Sequence, residues 1–299
     1  MSGTWGPRPV VVGVDPDPAK RNALTWAADE AALRNLPLTL VHAQGVPTGG
    51  YTSGEVLPSW ERWNAALHVE GERLLEQAVA YVGSRQPRVV VTTQLMEGHP
   101  AWAVREMAPG AAMVVLGSWR LGVVRELFTS ASVALPVIAH APCPVVVVPE
   151  PEEPEVPDER SPYLVVGVDG HPRSAAAVDL AFQEAALHGA ALRALYVWHP
   201  PLPGVLDEEA AERECRRLLS ESVAGHRAAY PEVDLTQEVV RGHPVGALAQ
   251  ASDRACALVV GTRGQGGFSG LLLGSVSQGV LHHARCPVIT VPPSGTAAA

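Results

Sequence analysis

One segment of the sequence, residues 261–277, combines glycines and serines in a spacing suited to holding a phosphate group. We call it the glycine loop; it follows a short apolar run and contains Gly261, Gly264, Gly274, Ser275 and Ser277. Glycines let the main chain approach a ligand closely, and the unpaired N–H groups at a helix start attract anions. The two serines can add hydroxyl donors. The segment predicts phosphate binding between a strand and a helix; the alternative is a flexible connector that only caps the helix.

Several other phosphate, carbonyl and hydrolytic chemistries lack the residues they need. Lys20 is the only lysine, and it stands in Pro-Ala-Lys-Arg, not in the Gly-Lys-Ser/Thr of a Walker A loop. A Schiff-base lysine would also have to be Lys20, which argues against that chemistry. The segment Asp169–Pro172, which follows a predicted strand, carries no Gly-x-Gly-x-x-Gly dinucleotide fingerprint. Neither a Gly-x-Ser-x-Gly elbow nor the paired Cys and His spacing of a zinc site is present. We therefore assign no catalytic or metal-binding residues.

The sequence contains two copies of one pattern. Val-Val-Gly-Val-Asp occurs at residues 11–15 and again at residues 165–169, and the offset between matching residues falls from 154 to 144 and then 143 along the chain. Four further segments match in the same order: 30–33 with 184–187, 98–100 with 242–244, 114–117 with 258–261, and 141–145 with 284–288. Such ordered self-similarity indicates a tandem duplication.

A proline-rich acidic segment separates the two copies. Residues 149–162 contain five prolines and six acidic residues, which fit neither a strand ladder nor a helix interior. We predict an N-terminal domain over residues 1–149, an extended linker over 150–162 and a C-terminal domain over 163–299. The two domains are called the first and the second repeat.

Short apolar runs alternate with longer amphipathic ones within each repeat. In the second repeat the predicted strands are 164–168, 192–197, 235–240, 257–260 and 288–291, and the predicted helices are 174–188, 208–230, 245–252 and 276–283. This alternation, with right-handed crossovers, predicts an α/β fold with a doubly wound, parallel five-stranded sheet in each repeat. Ligands of such sheets bind beyond the carboxyl ends of the strands, where the glycine loop lies.

The glycine loop also resembles a known signature. Gly261-x2-Gly264-x9-Gly274-Ser275 is similar to the G-2x-G-9x-G-[S/T] ATP-binding pattern of the universal stress protein family. Both Val-Gly-Val-Asp openings, both Gly-His-Pro turns and the closing segment 282–288 resemble that family, so the likeness covers essentially the whole chain as two tandem domains. It implies a Rossmann-like strand order 3-2-1-4-5, a role in the stress response and ATP as ligand, with or without Mg²⁺.

The resemblance implies specific roles in the second repeat. Asp169 would accept hydrogen bonds from ribose or adenine, and Val197 would offer main-chain groups to the adenine edge. Structural roles remain as alternatives: Asp169 as a helix N-cap, Val197 as core and Arg263 as a surface cation. The other residues expected to bind the nucleotide are Gly167, Gly242, Gly261, Arg263, Gly264, Gly274, Ser275, Val276 and Ser277.

The first repeat departs from the signature. Arg120 stands at the position of the second glycine, and Ala131-Ser132-Val133 lies opposite Gly274-Ser275-Val276. A long side chain at residue 120 would obstruct close approach of phosphate to the main chain. We therefore predict a weakened or lost nucleotide site in the first repeat; the alternative is that Arg120 itself pairs with phosphate.

The last strand of each repeat is apolar and would lie at a sheet edge in the order 3-2-1-4-5. These strands fall within residues 143–148 and 286–291. Uncovered apolar edges promote aggregation, so we predict that the two strands pair with each other in an internal pseudo-dimer. A further homodimer through the remaining helical faces is also expected.

Net charge and hydropathy limit the kinds of binding partner that the sequence predicts. A net charge of −9 argues against non-specific nucleic-acid binding, and no apolar run reaches the roughly 20 residues of a membrane span. No signal peptide is evident, so we expect a cytoplasmic protein. The sequence favours an ATP-dependent regulatory protein. The alternatives are a weak ATPase or ATP-using enzyme on the same fold, and a dimerisation module with a vestigial pocket.

Overall fold

The computed structural model describes residues 7–17, 20–44, 60–118, 133–150, 162–198, 207–264 and 273–293. The chain divides into two compact units, Met1–Val137 and Ile138–Ala299. Two predicted features lie outside the described residues. They are most of the segment of the first repeat that corresponds to the glycine loop, including Arg120, and most of the predicted linker.

The first unit is a four-stranded parallel sheet in the order β3-β2-β1-β4. Its core begins at Val10, Val11 and Val12, which are fully buried. The strands are β1 (Val10–Gly13), β2 (Leu38–Gln44), β3 (Val91–Glu97) and β4 (Met113–Ser118), and the helices are α1 (Asn22–Arg34), α2 (Trp60–Arg85) and α3 (Pro100–Met107). Helix α4 (Ala134–His140) begins in this unit and ends in the second.

The second unit contains six of the described strands, in the order β5-β10-β9-β6-β7-β8. All its neighbouring strands run parallel except β5 and β10, which are antiparallel. The strands are β5 (Val145–Pro149), β6 (Tyr163–Val168), β7 (Ala191–Trp198), β8 (Leu235–Arg241), β9 (Ala257–Gly261) and β10 (Val288–Val291). The helices are α5 (Ala175–His188), α6 (Glu208–Ala229), α7 (Pro244–Ala251) and α8 (Ser275–His283).

The predicted elements of the second repeat agree with the structure to within one residue at either end. Its own strands follow the order β8-β7-β6-β9-β10, which is the predicted 3-2-1-4-5 arrangement. Continuous apolar runs mark the inner strands because both faces of the sheet are covered there; Val165, Val166 and Val259, for example, are fully buried, whereas the edge strand β8 is largely exposed. The α/β prediction is confirmed.

The predicted pairing of the two last strands is also confirmed. Ile289 of β10 lies opposite Val146 of β5, and the buried Thr290 hydroxyl donates a hydrogen bond to the Val145 carbonyl at 3.0 Å. Strand β5 belongs to the first repeat by sequence, but its contacts place it in the second unit. The boundary between the units therefore precedes the predicted linker.

No helix among the described residues is both long enough and apolar enough to cross a bilayer.

Candidate functional site

A cavity of about 320 Å³ opens in the second unit at the carboxyl ends of β6, β7 and β9. Strand β6 lies between β7 and β9, so this is the switch point where an open α/β sheet takes its ligand. Ten of the eleven residues predicted from the sequence line the cavity: Gly167, Asp169, Val197, Gly261, Arg263, Gly264, Gly274, Ser275, Val276 and Ser277.

Gly242 is the one predicted residue that is not among those lining the cavity. It follows β8, and its N–H donates to the Trp198 carbonyl at 3.0 Å. Gly242 therefore extends the pairing of β7 with β8, and Pro244, two residues further along the chain, lines the cavity instead.

The N-terminus of α8 brings to the cavity main-chain donors that have no acceptor among the described residues. The first hydrogen bond of the helix runs from the Gln278 N–H to the Gly274 carbonyl, at 3.0 Å. The N–H groups of Ser275, Val276 and Ser277 therefore have no acceptor within the helix, and Gly274 has no side chain to cap them. By contrast, Asp207 caps α6 by accepting from the Ala210 N–H at 3.1 Å. The helix dipole and these donors favour an anion in the cavity.

The described ends of the glycine loop are tied together by two hydrogen bonds. The Gly274 N–H donates to the Thr262 carbonyl at 2.8 Å, and the Ser277 hydroxyl donates to the Gly261 carbonyl at 2.6 Å. Ser277 is only 4% exposed. Its hydroxyl proton is therefore directed at the protein's own main chain in this arrangement, whereas the sequence predicted a hydroxyl donor to phosphate.

Asp169 shapes the loop that follows β6 and also borders the cavity. Its Oδ1 accepts from the His171 N–H at 2.9 Å, two residues along the chain. Helix α5 begins only at Ala175, so this bond stabilises the turn and does not cap α5. The first repeat has the same bond, from the Asp17 N–H to Asp15 Oδ1 at 2.8 Å.

Gly264 is packed against the Asp169 carboxylate. A Cβ atom at residue 264 would lie 2.7 Å from Asp169 Oδ2, closer than real Cβ contacts allow. Only glycine fits here without displacing the carboxylate or the loop. The second glycine of the signature is thus in close contact with another side chain of the protein, before any ligand is considered.

Two buried side chains, Tyr196 and Cys215, lie near Asp169. Burial raises the pKa of Tyr196, and the nearby Cys215 and Asp169 raise it further; the tyrosine hydroxyl and the Cys215 thiol share a hydrogen bond. Burial likewise raises the pKa of Cys215. Both groups therefore stay protonated near neutral pH, and the sequence patterns gave no signal for this pair.

Arg263 lines the cavity at the end of the loop. Across the described ranges, no hydrogen bond or ion pair engages its guanidinium group. An arginine in this position offers several donors to a phosphate.

The apolar wall of the cavity was missed by the sequence prediction. Val168, Leu195 and Val260 come from the ends of β6, β7 and β9, and the remaining additions are Ser174, Pro244, Leu248 and Leu273. The last apolar residue of the predicted strands 164–168 and 257–260 would have found Val168 and Val260, whereas Leu195 lies two residues before the end of the predicted strand 192–197. Together they form an apolar surface beside the donors of α8.

Comparison with known proteins decides the family. The sequence model of the universal stress protein family matches residues 7–149 and again residues 163–292. The chain belongs to this family. Both family domains are therefore present in tandem, as the repeats predicted.

Relatives of similar length match nearly the whole chain. Universal stress protein Rv2005c of Mycobacterium tuberculosis H37Rv is 38% identical over 289 residues, which cover 94% of this chain and 95% of the relative. Universal stress protein Rv2623 of the same organism is 36% identical over 297 residues, covering 96% and 97%. A crystal structure of a universal stress protein from Archaeoglobus fulgidus superposes with a TM-score of 0.69 at 15% identity, covering 95% of this chain and 97% of that one. This last likeness shows the fold alone.

Proposed function

We propose that the second repeat binds ATP and that the chain is a nucleotide-dependent regulatory protein of the stress response. The observation that carries the proposal is the uncapped start of α8, where three consecutive N–H groups meet a cavity that Arg263 also lines. Donors without acceptors beside a cation form a site for an anion of high charge.

The size and the apolar lining of the cavity support the proposal that the ligand contains a nucleoside. Its volume of about 320 Å³ lies within the range of small-molecule sites, and Val168, Leu195 and Val260 give it an apolar wall. A nucleotide has the same two parts, a flat base of low polarity and a charged phosphate chain. Asp169, on the loop after β6, also lines the cavity and offers a carboxylate acceptor to ribose hydroxyls.

The strand register supports a preference for adenine. Alternate residues of β7 point their main-chain groups to opposite neighbours: the Ala191 N–H donates to Pro162 on the β6 side, and the Leu192 N–H donates to Asp234 on the β8 side. By this alternation Val197 points toward β6, whose last residue, Val168, lies opposite Tyr196. The Val197 carbonyl therefore extends beyond the end of β6, where it can accept a hydrogen bond from a ligand.

We expect ATP to bind at least about tenfold more tightly than GTP. The 6-amino group of adenine can donate to the Val197 carbonyl, whereas the 6-oxo group of guanine presents a second acceptor and leaves both unpaired. Competition titration of the purified chain measures the ratio. Inosine triphosphate is the control, because it has the 6-oxo group without the guanine 2-amino group and should bind as weakly as GTP. Equal affinities for the three nucleotides would contradict the role of Val197.

We expect one ATP per chain. The second repeat has the intact glycine loop, whereas the first carries Arg120 at the position of Gly264. Isothermal titration calorimetry should give a stoichiometry near one, and mass spectrometry of ligand released from purified protein identifies what the site retains. Two equivalent sites per chain would overturn the predicted loss of the first site. Homodimerisation and a cytoplasmic location stay predictions.

A further inference from the structure

We propose that Ser277 is a positioning residue, which fixes the start of α8 against β9 so that the helix donors face the phosphates. This inference rests on the proposed function and gives Ser277 a different role in it. The nucleotide contacts would come from the N–H groups of α8 and from Arg263, while the Ser277 side chain would hold those groups in place.

The position of the Ser277 hydroxyl supports this positioning role. Ser277 is the third residue of α8 and Gly261 is the last residue of β9, so the 2.6 Å bond between them joins the elements on either side of the loop. Only 4% of Ser277 is exposed. The bond therefore lies at the base of the glycine loop, where water has little access to compete for the Ser277 hydroxyl.

A second bond fixes the same base but cannot replace the first. The Gly274 N–H donates to the Thr262 carbonyl, which ties the chain just before the helix begins. The first turn of a helix has no internal acceptors for its N–H groups and is held only by its surroundings. The Ser277 bond restrains this turn directly. A site ordered in advance loses less conformational entropy when a ligand binds, so the bond should strengthen binding of the phosphate part.

The first repeat supplies an internal comparison. Gly117 is its counterpart of Gly261 at the offset of 144, and Ala134 stands opposite Ser277 at the terminal offset of 143. Ala134 has no hydroxyl, so the first repeat lacks the group that makes this bond. The difference accompanies Arg120 and Ala131, which replace the signature glycines at the positions of Gly264 and Gly274.

The test is Ser277→Ala in the full chain, titrated with adenosine, AMP, ADP and ATP. We expect ATP affinity to fall about tenfold, the effect of losing one buried hydrogen bond, while adenosine affinity changes less than about twofold. The loss should increase with the number of phosphates, because the bond orders only the phosphate end. A general loss of stability would affect all four ligands alike.

Ser252→Ala is the matched control. Ser252 is fully buried and its hydroxyl donates to the Ala249 carbonyl at 3.1 Å, but it is not among the residues lining the cavity. This variant should lower the thermal unfolding temperature while ATP affinity stays at the wild-type value. Equal losses of ATP affinity in the two variants would show that Ser277 acts only through stability and would overturn the proposal.

A measurement on the unmodified chain keeps the proposal testable if Ser277→Ala does not fold. The amide protons of Gly274 and Gln278, which are bonded to Thr262 and Gly274, should be protected from hydrogen exchange before nucleotide is added. Rapid exchange of both without nucleotide would show that the loop base is not ordered in advance. That result would overturn the positioning role.

The outcomes separate the inference from the proposed function. If the wild-type chain binds no adenine nucleotide, the proposed function is wrong and the positioning role falls with it. If the wild type binds ATP and Ser277→Ala binds all four ligands as the wild type does, only the positioning role is wrong.

Discussion

Replacing Gly264 by arginine is expected to reduce ATP affinity at least about 100-fold while the second unit stays folded. Any Cβ at this position would come within 2.7 Å of Asp169 Oδ2, so the carboxylate or the loop must move. The guanidinium would then pair with Asp169 and occupy space beside Arg263 and Gly274. The two effects together remove the close approach of phosphate to the main chain, and a loss of this size corresponds to the two or more strong hydrogen bonds that the site would forfeit.

Isothermal titration calorimetry measures the ATP affinity of the Gly264→Arg variant, and thermal unfolding measures its stability. The first repeat already carries Arg120 at the aligned position, which supports retention of the fold. Gly225→Arg is the matched control: Gly225 is exposed on α6, and a Cβ there meets nothing within 4 Å. The control should bind ATP as the wild type does. A folded Gly264→Arg variant with unchanged affinity would show that the glycine loop does not hold the phosphates.

Replacing Val146 by aspartate is expected to destabilise the second unit by about 4 kcal/mol or more. Val146 is fully buried in β5 and lies opposite Ile289 of β10, which is 1% exposed. An aspartate there would lie opposite the apolar Ile289 in a fully buried position, and an unpaired buried charge is among the most destabilising changes in a protein. Since domains are stable by only about 5–15 kcal/mol, much of the folded population should be lost.

Chemical denaturation of the full chain measures how much Val146→Asp lowers the free energy of unfolding. Thr236→Asp is the control, because Thr236 is an exposed residue of β8 in the same unit and should tolerate the charge within about 1 kcal/mol. If Val146→Asp is as stable as this control, β5 does not lie buried beside β10.

The sequence predicted the strands and helices of the second repeat well because their signals are local. A continuous apolar run such as Val165–Val168 is typical of a strand covered on both faces, and the glycine spacing depends only on neighbours along the chain. The glycine spacing and the family resemblance together placed ten of the eleven proposed residues at one cavity. Gly242 was included because its turn matches the family pattern, but its N–H is used by the sheet.

The missing parts of the site depend on contacts between distant residues. Nothing in the sequence around Gly264 indicates that Asp169, 95 positions earlier, lies where a Cβ would go. The residue type of Ser277 suggested a hydroxyl for the ligand, and only the fold shows that its partner is the Gly261 carbonyl. The apolar wall combines the ends of three strands, which become neighbours only after the sheet has formed.

The antiparallel pairing of β5 with β10 makes β5 a donor strand within a single chain. Its residues precede the linker, yet they complete the sheet of the unit that contains the second repeat. A cut between residues 150 and 162 would separate the two repeats covalently but leave the pairing itself intact, as in strand complementation between separate chains. A fragment that begins at residue 163 would instead expose β10 as an open apolar edge. The smallest second-repeat fragment with a covered sheet therefore starts before β5, within the sequence of the first repeat.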